Sequence, residues 1–528
     1  MYNHIKFFLF TITQQVLRYC FFLWLSLGNS KFEKLRDVLV LPSKRTLQLF
    51  KSNVPQGDGY RQTVFNELGK LWGIKAKEVK DWDCILSWDA TGYAKTMSFN
   101  KYTGVLEGFS YDPESFSMHQ LFSNKVNCFL VSSPEINNNI RFPIAYYHTT
   151  SLNSAIIRQQ WSEVMTGLDS IGLRVISCVC DGASEHAKFF NLILESTSIY
   201  DPSIAIRLRQ MWVVSDPPHL IKKFRNNWLS SGDNDFHTKR LEIDGNHIGW
   251  SVMDGTRTVS TTLPDGTQRC FQSLPKLNYD VVHPSSIQKL RVSLAAIPFS
   301  VSVQQFVRDN IDRVATEAKV NVNDVKATLK FSDRVNELFR IMNSREPITW
   351  SDENDQDGVP IGFRDKCDTT HGFNLNWFSE KYGVSVDSMK KFSGLPSGES
   401  VPALGSSLLI DRPKVLLEVA DYFKSWKTSV NNLNGYTKTQ RSKMFITHWL
   451  YDDLRRTCYS MVELLHHYVK GTDRVWILRR FTQDPIESLF GQIRSLNGSN
   501  TNLDRIGVDH GFSEIRSKLL KKLIMKQK

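Results

Sequence analysis

The chain has 528 residues, of which 41% are hydrophobic and 12% aromatic. That is enough apolar material for roughly two to four packed domains, and it excludes a disordered chain. A net charge of +12 favours a polyanionic partner, because Lys and Arg neutralise phosphates and release counterions. Eight Cys with no C-x-x-C pair exclude a disulfide framework and a zinc-finger spacing, and point to a reducing compartment.

Residues 1–33 open with the apolar runs Phe7-Phe-Leu-Phe10 and Tyr19 to Leu27, which Gln14, Gln15 and Arg18 interrupt. The longest clean run is too short for a bilayer and no A-x-A-like site follows it, so a buried apolar helix is expected and no membrane partner. Residues 34–75 read as a small helical module in which Ser43 caps a periodic run. Its Lys44 and Arg45 are candidate phosphate contacts, although a solvated helix face accounts for them equally well.

Residues 81–229 are first strand-rich and then alternate. Strands are expected at 82–89, 95–99, 106–111, 126–131 and 142–147, an amphipathic helix at 154–171, and a strand that ends at Asp181. A meander, a helix and a parallel strand give an α/β fold with ribonuclease H-like order. Two of its apolar runs stop at an acidic residue, Cys84-Ile-Leu-Ser-Trp-Asp89 and Val175-Ile-Ser-Cys-Val-Cys-Asp181, and strand ends are where α/β sheets place their chemistry. Cys178 and Cys180 read as small core residues of that strand. Beyond them, Met211 to Arg225 is a strand running into a helix, with Asp216 as N-cap and His219 as a residue either structural or acid–base. Lys222, Lys223 and Arg225 on the following turns are candidate DNA-backbone contacts.

Residues 230–443 form a large insertion, with helices expected at 287–310, 325–344 and 412–430, a Gly-, Pro- and Asp-rich loop at 352–407, and no Walker-type G-x-x-x-x-G-K-[S/T] string. A helix at 438–469 leads into residues 444–505, a return to the first fold. There, in Arg480-Phe-Thr-Gln-Asp-Pro-Ile-Glu-Ser-Leu-Phe-Gly-Gln-Ile-Arg494, Asp484 is expected to cap a helix, with Pro485 at its first position and Glu487 in its first turn. Asp-Pro-x-Glu is by itself an ordinary capping box. Two strand-end Asp and a helical Glu also suit a pair of Mg²⁺ ions that activate an attacking oxygen and stabilise a leaving one. Residues 506–528 are a basic tail, read as a solvated helix end or as a DNA contact or import signal.

Six segments, in order, carry a resemblance: Ser87-Trp-Asp-Ala-Thr-Gly92, Gly104-Val-Leu-Glu-Gly-Phe109, Cys180-Asp-Gly-Ala-Ser184, Ser215-Asp-Pro-Pro-His-Leu-Ile-Lys222, Leu338-Phe-Arg-Ile-Met-Asn-Ser344 and Gln483-Asp-Pro-Ile-Glu-Ser-Leu-Phe-Gly491. Together they resemble the P element-like, THAP-domain transposases over residues 35 to 505. The resemblance implies a ribonuclease H-like catalytic domain interrupted by a mainly α-helical insertion, GTP-binding in the P element enzyme, and preceded by a helix-turn-helix-like module. It implies Asp89, Asp181 and Glu487 as catalytic and metal-binding residues of a two-metal DDE mechanism with Mg²⁺ or Mn²⁺. Transposon-end and target DNA, a homo-oligomer and the nucleus follow from the same likeness.

Two features depart from it. No C-x-x-C…C-x-x-H pattern of the family's zinc finger occurs in the sequence. Arg340 stands where the family has Asp after Leu-Phe, and a guanidinium meets the N1 and N2 donors of guanine with donors only, whereas a carboxylate would accept from both. GTP is therefore disfavoured, with Arg340 and Asp484 the candidate residues beside a nucleotide site. The competing readings are a catalytically inactive, domesticated DNA-binding or protein-interaction scaffold and, more remotely, an RNA-directed nuclease of the same fold.

Overall fold

Apolar runs rich in Ile, Val, Cys and aromatic residues assemble the central seven-stranded sheet. The computed structural model describes residues 14–47, 59–73, 82–100, 105–110, 121–232, 237–262, 268–354, 360–365, 412–498 and 503–524. The strands are β1 (Asp83–Gly92), β2 (Lys125–Ser132), β3 (Arg141–Thr149), β4 (Arg174–Cys180), β5 (Ser196–Thr197), β6 (Ala205–Leu208) and β7 (Met211–Ser215). Their order is β3-β2-β1-β4-β7-β6-β5. β1, β4 and β7 run parallel, while the meander on one side and the short strands on the other pair antiparallel. This is the ribonuclease H-like arrangement that the sequence pattern implies.

The helices that concern the site are α1 (Gln14–Arg36), α2 (Gln62–Trp72), α3 (Ser154–Ser170), α4 (Ser184–Ile193), α5 (Pro217–Leu229), α6 (Val322–Met342), α7 (Arg412–Asn431), α8 (His448–Tyr468), α9 (Asp484–Leu496) and α10 (Arg505–Ile524). Strands covered on both faces read as continuous apolar runs, and here alternate residues serve different cores. Leu86, Trp88, Cys178, Cys180 and Val213 face α2, α3 and α4. Ile85, Ile176, Val179, Trp212 and Val214 face α5, α8 and the insertion. Beside that second core, Val126, Cys128 and Leu130 of β2 meet Ile486, Leu489, Phe490 and Ile493 of α9 and Phe512 of α10.

The insertion is mainly helical, and the apolar cluster beneath the sheet continues into it through Phe224, Trp228, Phe331, Phe423 and Trp426. Trp228 meets Trp250 edge-on with ring centroids 4.9 Å apart and Phe331 at 5.6 Å. The helix expected over 287–310 is broken into short pieces, among them Val292–Ala296, a 3₁₀ turn at Ile297–Phe299 and Val301–Asp309. Pro298 lies inside that 3₁₀ turn, where a continuous α-helix would need its missing N–H. The helix expected over 438–469 divides into Lys438–Lys443 and α8, because Met444, Phe445 and Ile446 turn inward between the two.

At the N-terminus Cys20 and Phe32 of α1 are buried against Leu47. Ser43 Oγ accepts from Thr46 N at 3.1 Å, as its capping role requires. Among the described residues no helix is long and apolar enough to cross a membrane. The run at 7–10, the middle of the 34–75 module (48–58) and most of the 352–407 loop lie outside the described residues.

Candidate active site

Strand register sets the site. β1 pairs with β4 with Ser87 opposite Val179, and β7 pairs with β4 with Ser215 opposite Cys180. Two residues on from the first pair come Asp89 and Asp181; one residue on from the second come Asp216 and Asp181. Three carboxyl groups thus line one sheet edge on neighbouring chains, about 4.8 Å apart from one to the next by backbone spacing. Side-chain alternation puts Asp89 and Asp181 on the face covered by α5 and α9, since the residue before each, Trp88 and Cys180, turns into the opposite core, and Asp216 joins them by capping α5.

Asp216 ties this edge together. It is fully buried and caps α5, its Oδ2 accepting from His219 N at 3.0 Å and from His219 Nδ1 at 2.7 Å. Its own N–H donates to Cys180 O at 2.8 Å. Oδ1 accepts from Gln483 N at 2.7 Å, and Gln483 Nε2 donates to Trp88 O, also at 2.7 Å. Gln483, entirely shielded from solvent, therefore fastens the start of α9 to β1 next to Asp89 and to the end of β7. Glu487 follows one helical turn later, exposed on α9. The buried Ile486, Leu489, Phe490 and Ile493 follow the period of a helix with one apolar face, which orients the rest.

The two strand-end carboxyls are held in opposite electrostatic states. Asp89 is pushed up to about 6, first by burial and then by the charge of Asp181. Its only hydrogen bond among the described residues comes from Ala90 N at 2.8 Å. Burial also works against Asp181, but the hydrogen bond and charge of His186, the Ala183 amide and the charge of His219 outweigh it and hold this carboxyl well below its ordinary value. His186 Nδ1 lies 2.7 Å and Ala183 N 2.9 Å from Asp181 Oδ1. The amine of Lys222 is lowered by burial, against the charges of Glu487, Asp216, Asp181 and Asp89. Lys222 thus lies within the field of all four acids, Glu487 included.

Asp89, Oδ2 of Asp181 and Glu487 are oxygen donors, a set that suits a hard divalent cation such as Mg²⁺ or Mn²⁺. The raised Asp89, with no cationic side chain at ion-pair distance among the described residues, is a place where such a charge would be welcomed. Cys180, Asp181 and His186 also have ligand-type atoms within 4.8 Å of one another. Their nearness is accounted for by packing, because Cys180 points into the opposite core and His186 Nδ1 is engaged by Asp181.

Several sequence expectations need correction. Asp484 is the first residue of α9 and not its cap. Gln483 holds the cap position without a side-chain capping bond, and Asp484 Oδ2 accepts from Arg479 Nε at 3.0 Å and Nη2 at 2.8 Å. Arg225 is buried and donates to Asn226 Oδ1 and Lys289 O, each at 2.8 Å, so it is not placed to meet a DNA backbone. Lys223 donates to Gly182 O at 2.7 Å and Asp453 Oδ2 at 2.9 Å, bracing the Asp181 loop against α8. Gly182 has φ +64°, and a Cβ there would lie 2.5 Å from Asp453 Oδ2, so the loop requires glycine at that point. Lys222 faces the carboxylates. Lys44 is half-buried, Arg45 exposed, and Arg340 exposed in the last turn of α6. The roles of His186 and Gln483 escaped the sequence reading: a lone His on a helix carries no periodic signal, and Gln483, although it opens one of the resembling segments, finds its partners only in three dimensions.

Comparison with known proteins bears on the fold. Residues 57–193 match the TNP-like RNase H N-terminal domain family, a span that contains Asp89, Asp181 and His186. Among solved structures the chain is similar to the Drosophila P element transposase in its strand transfer complex, with a TM-score of 0.61 and 15% identity over 96% of this chain and 92% of that one. At that identity the likeness establishes the fold, from the first helices through the insertion to the return. No curated protein matches the chain.

Proposed function

We propose that this protein is a P element-like DNA transposase, or a protein derived from one, that cuts and joins phosphodiester bonds with Asp89, Asp181 and Glu487 as the metal-holding triad. One observation carries the reading. The strand ends that carry Asp89 and Asp181 and the start of the helix that carries Glu487 meet at one edge of a ribonuclease H-like sheet, where buried Gln483 bonds to Asp216 and to Trp88 O. Bound Mg²⁺ or Mn²⁺ would supply the Lewis acid that activates the attacking oxygen and stabilises the leaving one. The chain's own part is to fix the ligands. Asp181 stays ionised beside His186, Asp89 is ionised above about pH 6 and would be open to a cation, and Glu487 is exposed on α9.

The match to a transposase domain and the likeness to a transposase in complex favour DNA as substrate, with self-association and a nuclear location as part of the same reading. GTP is left out of it: Arg340 presents donors to guanine, and Asp484 is engaged by Arg479.

The test uses the full chain fused to a DNA-binding domain whose site flanks a candidate transposon end, with Mg²⁺ or Mn²⁺. Wild type should nick and join DNA, whereas Asp181→Asn and Glu487→Gln should fall to background and keep salt-sensitive DNA binding, which comes from Lys and Arg. DNA binding by wild type with no strand cleavage under either metal would leave the inactive-scaffold reading in its place.

A further inference from the structure

Asp89 Oδ1 takes one backbone amide, Ala90 N at 2.8 Å; Asp181 differs in that a side chain joins the backbone on its oxygen. Both described hydrogen bonds to its side chain converge on Oδ1, from Ala183 N at 2.9 Å and His186 Nδ1 at 2.7 Å. The two donors differ in kind. The Ala183 amide belongs to the turn that begins α4, and any residue other than Pro would supply it. The imidazole is a side chain brought from one helical turn further on, where α4 covers the opposite face of the sheet and the ring reaches round the end of β4.

That ring is not free to swing. His186 keeps 6% of its side chain exposed while Asp181 keeps 27%, and the ring stands edge-on to Trp88 at 5.9 Å, at 90°. Trp88 is itself enclosed by Phe129, Phe189 and Phe190, and its carbonyl takes the Gln483 amide at 2.7 Å. A hydrogen bond from a ring nitrogen to a carboxylate requires a proton on that nitrogen, which makes Nδ1 the donor and fixes the tautomer of any neutral form.

Resting on the two-metal reading above, we propose that His186 is a positioning residue: by occupying Oδ1 of Asp181 it turns Oδ2 toward Asp89 and makes Asp181 a one-oxygen ligand of a divalent cation. A carboxylate free to rotate would offer either oxygen, or both at once, and the small octahedral ions expected here demand close to ideal ligand geometry. Partners that orient metal ligands from behind typically change metal affinity or activity about 10–100-fold when removed. A merely structural His186 would instead hold the 181–184 turn and leave cation affinity alone.

The two roles separate in a pair of similar substitutions. The Asn side-chain amide can occupy the place of imidazole Nδ1, whereas that of Gln extends to the place of Nε2 and away from Oδ1. We would measure binding of Mn²⁺ alone to the full chain without DNA, by the electron paramagnetic resonance signal of free Mn²⁺, with thermal unfolding run in parallel and Asp181→Asn as the reference for loss of the site. The expected result is His186→Gln weaker than wild type by about 10–100-fold and His186→Asn within about threefold of it, with both variants folded. Wild-type affinity in folded His186→Gln, or equal loss in the Asn and Gln variants, would overturn the proposal while Asp181→Asn still abolished binding. If wild type and Asp181→Asn bind Mn²⁺ alike, the metal-site reading fails and the role of His186 with it.

Discussion

Asp83 and Asp89 lie on the same strand and the same face of the sheet, about 20 Å apart at roughly 3.3 Å per residue, and the protein treats them in opposite ways. Asp83 is buried between two guanidinium groups, Arg174 Nε at 2.5 Å and Arg474 Nη2 at 2.6 Å, and Arg474 reaches on to Glu135 at 3.4 Å. Close by, buried Arg480 donates to the carbonyls of Ser133, Glu135, Ile136 and Asn138. These contacts clamp the returning chain onto the first hairpin before it climbs toward the site. Asp89, at the other end, faces carboxylates and has no such partner among the described residues. A carboxylate matched by guanidinium is a fastening; one left among its own kind is a standing demand for a cation from outside.

Cutting the fastening should have the largest effect. Asp83→Asn takes from buried Arg474 the nearer of its two counter-charges, leaving Glu135 at 3.4 Å, and breaking a buried pair on one side costs about 3–5 kcal/mol. Urea unfolding should show that loss at every ionic strength, while Mn²⁺ affinity of the remaining folded protein stays at the wild-type value. Loss of Mn²⁺ binding without loss of stability would show that the two ends of β1 are not the separate devices described above.

The opposite sign is expected six residues along. The folded Asp89 binds its proton up to about pH 6 and an ordinary aspartic carboxyl only to 3.8. The folded state therefore holds more protons between those values, and wild-type stability falls as pH rises through that window and stays low above it. Asp89→Asn removes the dependence. It should match wild type near pH 4 and exceed it above pH 6 by about 1–3 kcal/mol without metal. Added Mg²⁺ should close the gap by stabilising wild type alone. A variant less stable than wild type at pH 7 would mean that Asp89 is satisfied in a way its surroundings do not reveal.

How much of this was legible beforehand depends on whether a feature is local. Cys84 to Asp89 and Val175 to Asp181 announce strands because their apolar runs end in acids, and Asp216 announces its cap because Pro217 and Pro218 follow it. β5 and β6 went unread because they are only two and four residues long, and distant partners brace the loop between them and the strand beside them. Glu463 of α8 accepts from Ser198 Oγ, Ile199 N and Trp212 Nε1 at 3.0, 2.9 and 3.1 Å, and Arg455 reaches Asp201 at 3.1 Å. The cap of α9 was misplaced by one residue because Asp484 looks like a cap in isolation and the competing Arg479 is visible only in three dimensions. The proposed triad residues were readable as candidates from motif and strand end; the Gln483 and Asp216 bonds that tie the start of α9 to the sheet were not.

The smallest effect concerns Lys222, where the two ends of β1 meet a common question: whether a cation from the chain itself already answers the carboxylates. Read from sequence, Lys222 contacts DNA. Its amine, half-buried and acted on by Glu487, Asp216, Asp181 and Asp89, is instead placed to offset their repulsion until a divalent ion takes over. A phosphate contact would lower the salt slope of DNA binding by about one in Lys222→Met, since each neutralised phosphate contributes roughly 0.9. A charge-balancing lysine leaves that slope unchanged and alters the ion. Removing a competing positive charge worth on the order of 1 kcal/mol in a solvated cleft should tighten Mn²⁺ binding several-fold. The gain should be full at pH 8 and shrink toward pH 6, because Asp89 without Lys222 holds its proton more firmly and the ion must displace it. A reduced salt slope with unchanged Mn²⁺ affinity would return Lys222 to the DNA and leave the carboxylates with no cation of their own.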